Sequence, residues 1–270
     1  MIHLAKLPRS EKKALNAANR GVVAIDFDGT ISDTVFETYV QSLKAYQELG
    51  GKVKHSPVVE KQYRAARPLI TKVEHLFSVW KLIEANPHIN FNHIKQEQMN
   101  AEFMADAERN KVFSEKFYAN RKHMQTQTPE KWVALNKSFP KIAEFIKRAR
   151  RYNDVYIATA KDKVSIMSLL KRYGIQIPEE RIISVEFSKD KRLQLKEISR
   201  LSGKSLSKIV LVEDAIEQLK GAKEIGAKGL LYRRGYSTLA QKKEARKMGV
   251  AVVDWTRKFD SRRIKHLVRY

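Results

Sequence analysis

The chain has 270 residues, 43% of them hydrophobic, enough for one large domain or for a core carrying an insert. Its 53 Lys and Arg stand against 30 Asp and Glu, a net charge of +23 that favours contact with phosphates, nucleic acid or acidic surfaces and says little about fold. There is no cysteine, which excludes disulfides, thiolate metal sites and cysteine nucleophiles.

Residues 1–20 read as a basic lead-in with a short helix over Ser10 to Asn19. They lack the apolar core of a secretory signal, and no run of the chain reaches the length of a membrane span. The expectation is a cytoplasmic protein. Val22-Val23-Ala24-Ile25 follows as a short buried strand running into Asp26-Phe27-Asp28-Gly29-Thr30. Residues two apart on a strand face the same way, so Asp26 and Asp28 bring two carboxylates to one sheet edge. Like charges that close repel unless a cation lies between them. Taken alone, Asp28-Gly29 also reads as a simple turn.

From Val35 the period becomes helical. Phe36, Tyr39, Val40, Leu43, Tyr46 and Leu49 recur until Gly50-Gly51 stops the run. Leu69, Ile70, Val73, Leu76, Phe77, Trp80 and Ile83 form a second apolar face, broken at Asn86-Pro87. Residues 89–127 are polar and helical in character, and no strand signal lies between Asp33 and Thr128. After Pro129, a helix or a kinked pair around Pro140 leads into strands at Val155–Ala158, Ile182–Val185, Ile209–Val212, Gly229–Tyr232 and Val250–Val253. Helices over Val164–Tyr173, Leu193–Leu201, Ile216–Ile225 and Leu239–Met248 alternate with them, and the tail from Asp260 also reads as helical. This alternation predicts an α/β fold with a doubly wound parallel sheet. The Val22 strand joins that sheet from before the helical block. The domains expected are therefore a core of residues 1–32 and 129–270, and an all-helical insert of residues 33–128.

Ligands of open parallel sheets bind at the carboxyl ends of the strands. Here the first strand ends in Asp26 and Asp28, the second in Thr159 and the fourth in Glu213-Asp214, while Lys189 and Lys191 open the helix after the third. Four acids with a lysine and a hydroxyl are hard to account for as packing and costly without a metal ion. The basic clusters Lys147-Arg148-Ala149-Arg150-Arg151 and Arg233 to Lys265 read first as solvated helix faces. Gly221 to Gly226 begins like a phosphate-binding loop but is broken by Ala227-Lys228-Gly229, and His88 and His93 lack zinc-ligand spacing.

In order along the chain, Asp26-Phe27-Asp28-Gly29-Thr30, Thr159, the Lys189/Lys191 pair and Glu213-Asp214 resemble the four motifs of the haloacid dehalogenase superfamily. The helical block falls where relatives such as phosphoglycolate phosphatase and beta-phosphoglucomutase carry their helical cap. The resemblance implies a phosphatase that hydrolyses a small phosphate monoester with Mg2+. Asp26 would be the nucleophile and form an aspartyl-phosphate. Asp28 would act as general acid and base. Thr159 and a lysine would hold the phosphoryl oxygens, with helix phasing favouring Lys191 over Lys189. Asp26, the Asp28 carbonyl and Asp214 would bind the metal, with Glu213 assisting through water. Ala160 stands where many relatives have a polar residue. Asp28 argues against a dehalogenase. A sugar phosphomutase shares every core residue and is the enzymatic alternative. A basic nucleic-acid-binding protein, or a phosphatase of nucleic-acid ends, is the alternative that the charge suggests.

Overall fold

The computed structural model describes residues 20–105 and 107–256. The helix expected over Ser10 to Asn19, the basic residues from Arg257 onward and the helix expected from Asp260 lie outside them. The chain divides into two compact units, residues 1–32 with 138–270, and residues 33–137. The return to the first unit thus falls at Ser138 rather than at 129, because the short helix over Pro129–Ala134 groups with the helical unit.

In the first unit, six parallel strands form the sheet. β1 (Gly21–Ile25) lies at its middle, between β4 (Asn153–Ala158) and β6 (Ile209–Glu213). β5 (Ile182–Ile183) lies beyond β4; β7 (Lys228–Tyr232) and β8 (Ala251–Val253) continue beyond β6. The order β5-β4-β1-β6-β7-β8 means that the chain winds outward from β1 one way, returns beside β1, and winds the other way. The crevice between β1 and β6 is therefore the topological switch point. Every residue of β1 and β6 is buried, as expected for central strands covered on both faces. Val23 of β1 aligns with both Val155 and Val210.

Helices α7 (Ile142–Ala149), α8 (Lys163–Arg172), α9 (Lys191–Ser202), α10 (Ile216–Glu224) and α11 (Leu239–Lys247) link the strands. Side-chain caps set where three of them begin. Asp162 accepts from Ser165 N at 2.8 Å, Asp190 from Arg192 N at 2.8 Å, and Thr238 closes a capping box with Gln241. Leu195, Ile198, Leu219 and Ala245 pack with Val22, Ala24 and Leu211 in one buried cluster.

The helical unit holds α1 (Val35–Glu48), α2 (Pro57–Ala66), α3 (His75–Ala85), α4 (Gln96–Ala105), α5 (Ala107–Gln127) and α6 (Pro129–Ala134). Its core is aromatic: Tyr63 stacks on Trp80 at 5.0 Å, and Tyr39, Tyr46 and Phe77 gather around them. Beside this core Glu37 is wholly buried. Arg121 grips it through two hydrogen bonds of 2.9 and 2.6 Å, and Trp132 Nε1 donates to it at 3.2 Å.

Some elements differ from the sequence reading. Two-residue strands β2 (Ser32–Asp33) and β3 (Lys137–Ser138) form a small sheet of their own. The expected kinked pair around Pro140 is two separate helices, α6 and α7. Lys141, just before α7, has φ 63° and is the only non-glycine residue with positive φ among the described residues. The strand read as Ile182–Val185 ends at Ile183, and Val185 N instead bonds Lys161 O.

Candidate active site

Asp26 is the first residue past β1, and its N–H still bonds Val212 O of β6 at 2.9 Å. That bond holds the ends of β1 and β6 level, so Asp26 stands beside Glu213 and Asp214. The three residues each offer a carboxylate oxygen, all within 4.8 Å of one another, and all three residues are buried. The chain then turns tightly, with the N–H groups of Thr30, Ile31 and Ser32 all directed at Phe27 O. Gly29 has φ 85°. A Cβ there would strike the Asp214 carboxylate, and so would one at Gly235. Both glycines are needed for this close approach.

Lys191 is the first residue of α9 and is buried. Its Nζ lies 2.7 Å from Asp26 Oδ1 and 3.2 Å from Glu213 Oε2, and it also donates to Ala158 O at the end of β4. Lys189 is exposed, on the other side of the Asp190 cap. Of the two lysines, the structure brings Lys191 to the carboxylates. Gln194, one turn along α9, donates to Thr159 O and Ser188 O, both at 2.6 Å, which ties the helix start to the end of β4.

Thr159 is buried at the end of β4, its N–H bonded to Ile183 O and its Oγ1 accepting from Lys161 N at 3.3 Å. Asp28 is only partly buried and faces Lys161, whose Nζ is 3.2 Å from Asp28 Oδ1. Its side chain is not one of the three clustered carboxylates. Glu213 Oε1 accepts from the N–H of Asp214 and of Ala215, while Asp214 Oδ2 accepts from Tyr236 N at 2.6 Å.

The electrostatics follow from burying so many acids together. Burial, then the nearby Glu213, pushes the Asp26 carboxyl up to about 7 despite the opposing pull of Lys191. Burial likewise raises Glu213 to about 7, with Asp214 adding to the rise and Lys191 opposing it. For Lys191, burial acts downward, but the Asp26 and Glu213 carboxylates outweigh it and hold the ammonium above the ordinary lysine value. One buried lysine cannot balance three carboxylates. A hard divalent cation bound by carboxylate oxygens would supply the missing charge, and the donor set of Asp26, Glu213 and Asp214 fits one.

Three partners of the site were not foreseen from the sequence. Lys161 lies three residues past the end of β4 and reads as an ordinary surface cation. Gln194 has no charge to draw attention. The Gly235-Tyr236 backbone belongs to a loop that no motif marks. A helix-phase argument from the Asp190 cap finds Gln194, one turn beyond the lysine; nothing local finds the other two.

A family model described as haloacid dehalogenase-like hydrolase matches residues 21–226. No curated protein matches the chain. Among solved structures, the chain is similar to a predicted phosphatase from Clostridium acetobutylicum, at TM-score 0.63 and 12% identity, covering 92% of this chain and 99% of that one. It is similar to a predicted phosphoglycolate phosphatase from Haemophilus somnus, at TM-score 0.58 and 12% identity, covering 88% and 95%. It is also similar to Protein Tyrosine Kinase A of Mycobacterium tuberculosis, at TM-score 0.58 and 17% identity, covering 92% and 98%. At such identities the likeness is one of fold. No helix among the described residues is long and apolar enough to cross a membrane.

Proposed function

The chain belongs to the haloacid dehalogenase-like hydrolases, and we propose that it is a magnesium-dependent phosphatase that hydrolyses a small phosphate monoester through a phosphoryl group carried on Asp26. The observation that carries this reading is the set of three buried carboxylates within 4.8 Å of one another, with a single lysine among them, at the β1/β6 crevice. The solved structures named as predicted phosphatases agree with it.

Asp26, Glu213 and Asp214 would hold Mg2+, with the Asp28 carbonyl completing the protein's share. When bound, the ion offsets charge on the phosphoryl oxygens and on the attacking carboxylate. An Asp26 oxygen attacks phosphorus, and the ester P–O bond breaks. Asp28 gives its proton to the departing oxygen. It then takes a proton from water as that water attacks phosphorus, and the bond to Asp26 breaks. Lys191 orients Asp26 and, with the Thr159 hydroxyl, offers hydrogen bonds to the phosphoryl oxygens. With its carboxyl raised to about 7 by burial even beside Lys191, Asp26 needs a cation to stand fully ionised as a nucleophile at neutral pH.

The test is a screen of small phosphate esters with and without Mg2+, run on the native chain and on Asp26→Asn. Release of phosphate only by the native chain and only with the ion is the expected result. Metal-dependent turnover by Asp26→Asn at more than about a hundredth of the native rate would contradict the assignment of the nucleophile.

A further inference from the structure

The chain just past β8 is bonded to both of the loops that frame the carboxylate site. β7 and β8 pair in parallel with Tyr232 opposite Val253, and Arg233 N extends that pairing to Val253 O at 2.8 Å. This bond sets the two strand ends level, so Arg233-Arg234-Gly235-Tyr236 leaves the sheet beside Asp254-Trp255-Thr256. Arg234 Nε donates to Asp254 Oδ2 at 3.0 Å. The other oxygen of Asp254 accepts from Thr256 N at 3.0 Å and from Thr256 Oγ1 at 2.9 Å. Asp254 is buried, so both of its oxygens are held by named partners rather than by open solvent. The loop anchored in this way is the one whose Tyr236 N donates to Asp214 Oδ2 at 2.6 Å.

Trp255, the next residue, reaches the loop after β1. Its Nε1 donates to Thr30 O at 3.2 Å, and both residues are buried. Tyr232 of β7 stacks on the indole with ring centroids 4.7 Å apart, and Phe145 of α7 lies 4.0 Å from it. A buried indole N–H needs an acceptor, and a packed ring fixes where that acceptor stands. Here the acceptor belongs to the tight turn that follows Asp26 and Asp28. The two loops also touch directly, since a Cβ at Gly235 would strike Gly29 O as well as the Asp214 side chain.

We propose that Arg234, Asp254 and Trp255 are positioning residues: they form a clasp at the end of β8 that holds the Asp26–Thr30 loop and the Asp214 side chain at the spacing one divalent cation requires. Carboxylates from separate strands share an ion only if their loops keep a fixed separation, and Mg2+ tolerates little departure from its preferred geometry. Groups behind the ligands set such separations, and their loss typically weakens metal binding about 10- to 100-fold. Asp254 is not one of the three clustered carboxylates, so its effect passes through the Arg234 loop. This inference rests on the cation site of the phosphatase reading and on no particular ester.

The experiment measures the Kd of Mg2+ alone by titration calorimetry, well below the melting temperature of each protein. The proteins are the native chain, Trp255→Phe, which removes the indole N–H and keeps a ring, Asp254→Asn, Arg234→Met and Arg234→Lys. Val250→Ala serves as the packing control, because Val250 is buried just before β8 and touches neither loop through a hydrogen-bonding side chain. Trp255→Phe, Asp254→Asn and Arg234→Met should each raise the Kd by about tenfold. Arg234→Lys should recover part of that loss by keeping the charge opposite Asp254, and Val250→Ala should melt earlier with its Kd within about twofold of native. A native Kd in either Trp255→Phe or Asp254→Asn, or an equal weakening in Val250→Ala, would overturn the clasp. No Mg2+ binding by the native chain would overturn the clasp together with the cation site. Mg2+ binding that the variants weaken as expected, in a native chain that turns over no ester, would overturn the phosphatase reading and leave the clasp standing.

Discussion

Asp28 differs from the other acids of the site in having its own lysine. Lys161 holds it at 3.2 Å, outside the three-carboxylate cluster, so in the proposed reaction proton transfer and cation binding would be served by separate charges. Lys161 is itself buried, which makes it part of the site rather than of the solvated surface. Replacing it with Met leaves Asp28 without its oriented partner. Lys161→Met should lower kcat by about tenfold to a hundredfold, within the range by which positioned acid–base groups act. Lys161→Arg should restore part of the loss because the charge is retained. An unchanged kcat in Lys161→Met would show that Asp28 is oriented without it. Few of these partnerships could be read from residue order. Asp26, Glu213 and Asp214 announce themselves as acids at the ends of apolar runs, but Lys161 looks like any lysine in a loop until the end of β4 is set beside β1.

Among the elements, the buried strands were the most legible. β1 and β6 are unbroken apolar runs because both faces of a central parallel strand are covered, and their ends could be placed almost to the residue. The strand at Lys137–Ser138 left no such trace: two exposed polar residues have no period to detect. The choice between Lys189 and Lys191 turned on where α9 begins. Asp190 caps it, so Lys191 opens the helix and reaches Asp26, while Lys189 remains in the loop. In the helical unit, α1 and α5 are joined by the buried Glu37–Arg121 pair. No amphipathic pattern reveals a charge placed on an inner face. Glu37→Gln removes the charge that Arg121 answers and should cost about 3–5 kcal/mol, the usual penalty for breaking a buried ion pair. Urea unfolding would register this as an earlier midpoint for the transition of the helical unit. A midpoint unchanged from the native chain would mean that the pair is dispensable.

For the whole molecule, the buried acids couple stability to pH and to metal. Asp26 and Glu213 are raised to about 7 in the folded chain from ordinary values of 3.8 and 4.5. Between those limits the folded chain binds more protons than the unfolded one, so stability present near pH 4 is lost as pH rises through 7. Lys191 does not offset this, because a raised lysine loses its contribution only above its ordinary value of 10.5. A divalent cation bound there would take the place of those protons. Without metal, the melting temperature should fall from pH 5 to pH 8 through this cluster, and the gain on adding Mg2+ should be larger at pH 8 than at pH 5. Equal gains at both pH values would deny the ion a place among these carboxylates. The measurement that reaches the central claim most directly is mass spectrometry of the Asp28→Asn chain quenched in acid during turnover with Mg2+. One phosphoryl group on the peptide that contains Asp26, absent when Asp26 is also changed to Asn, is the predicted result. Continuing phosphate release with no phosphoryl group at Asp26, or with the group on another residue, would contradict it.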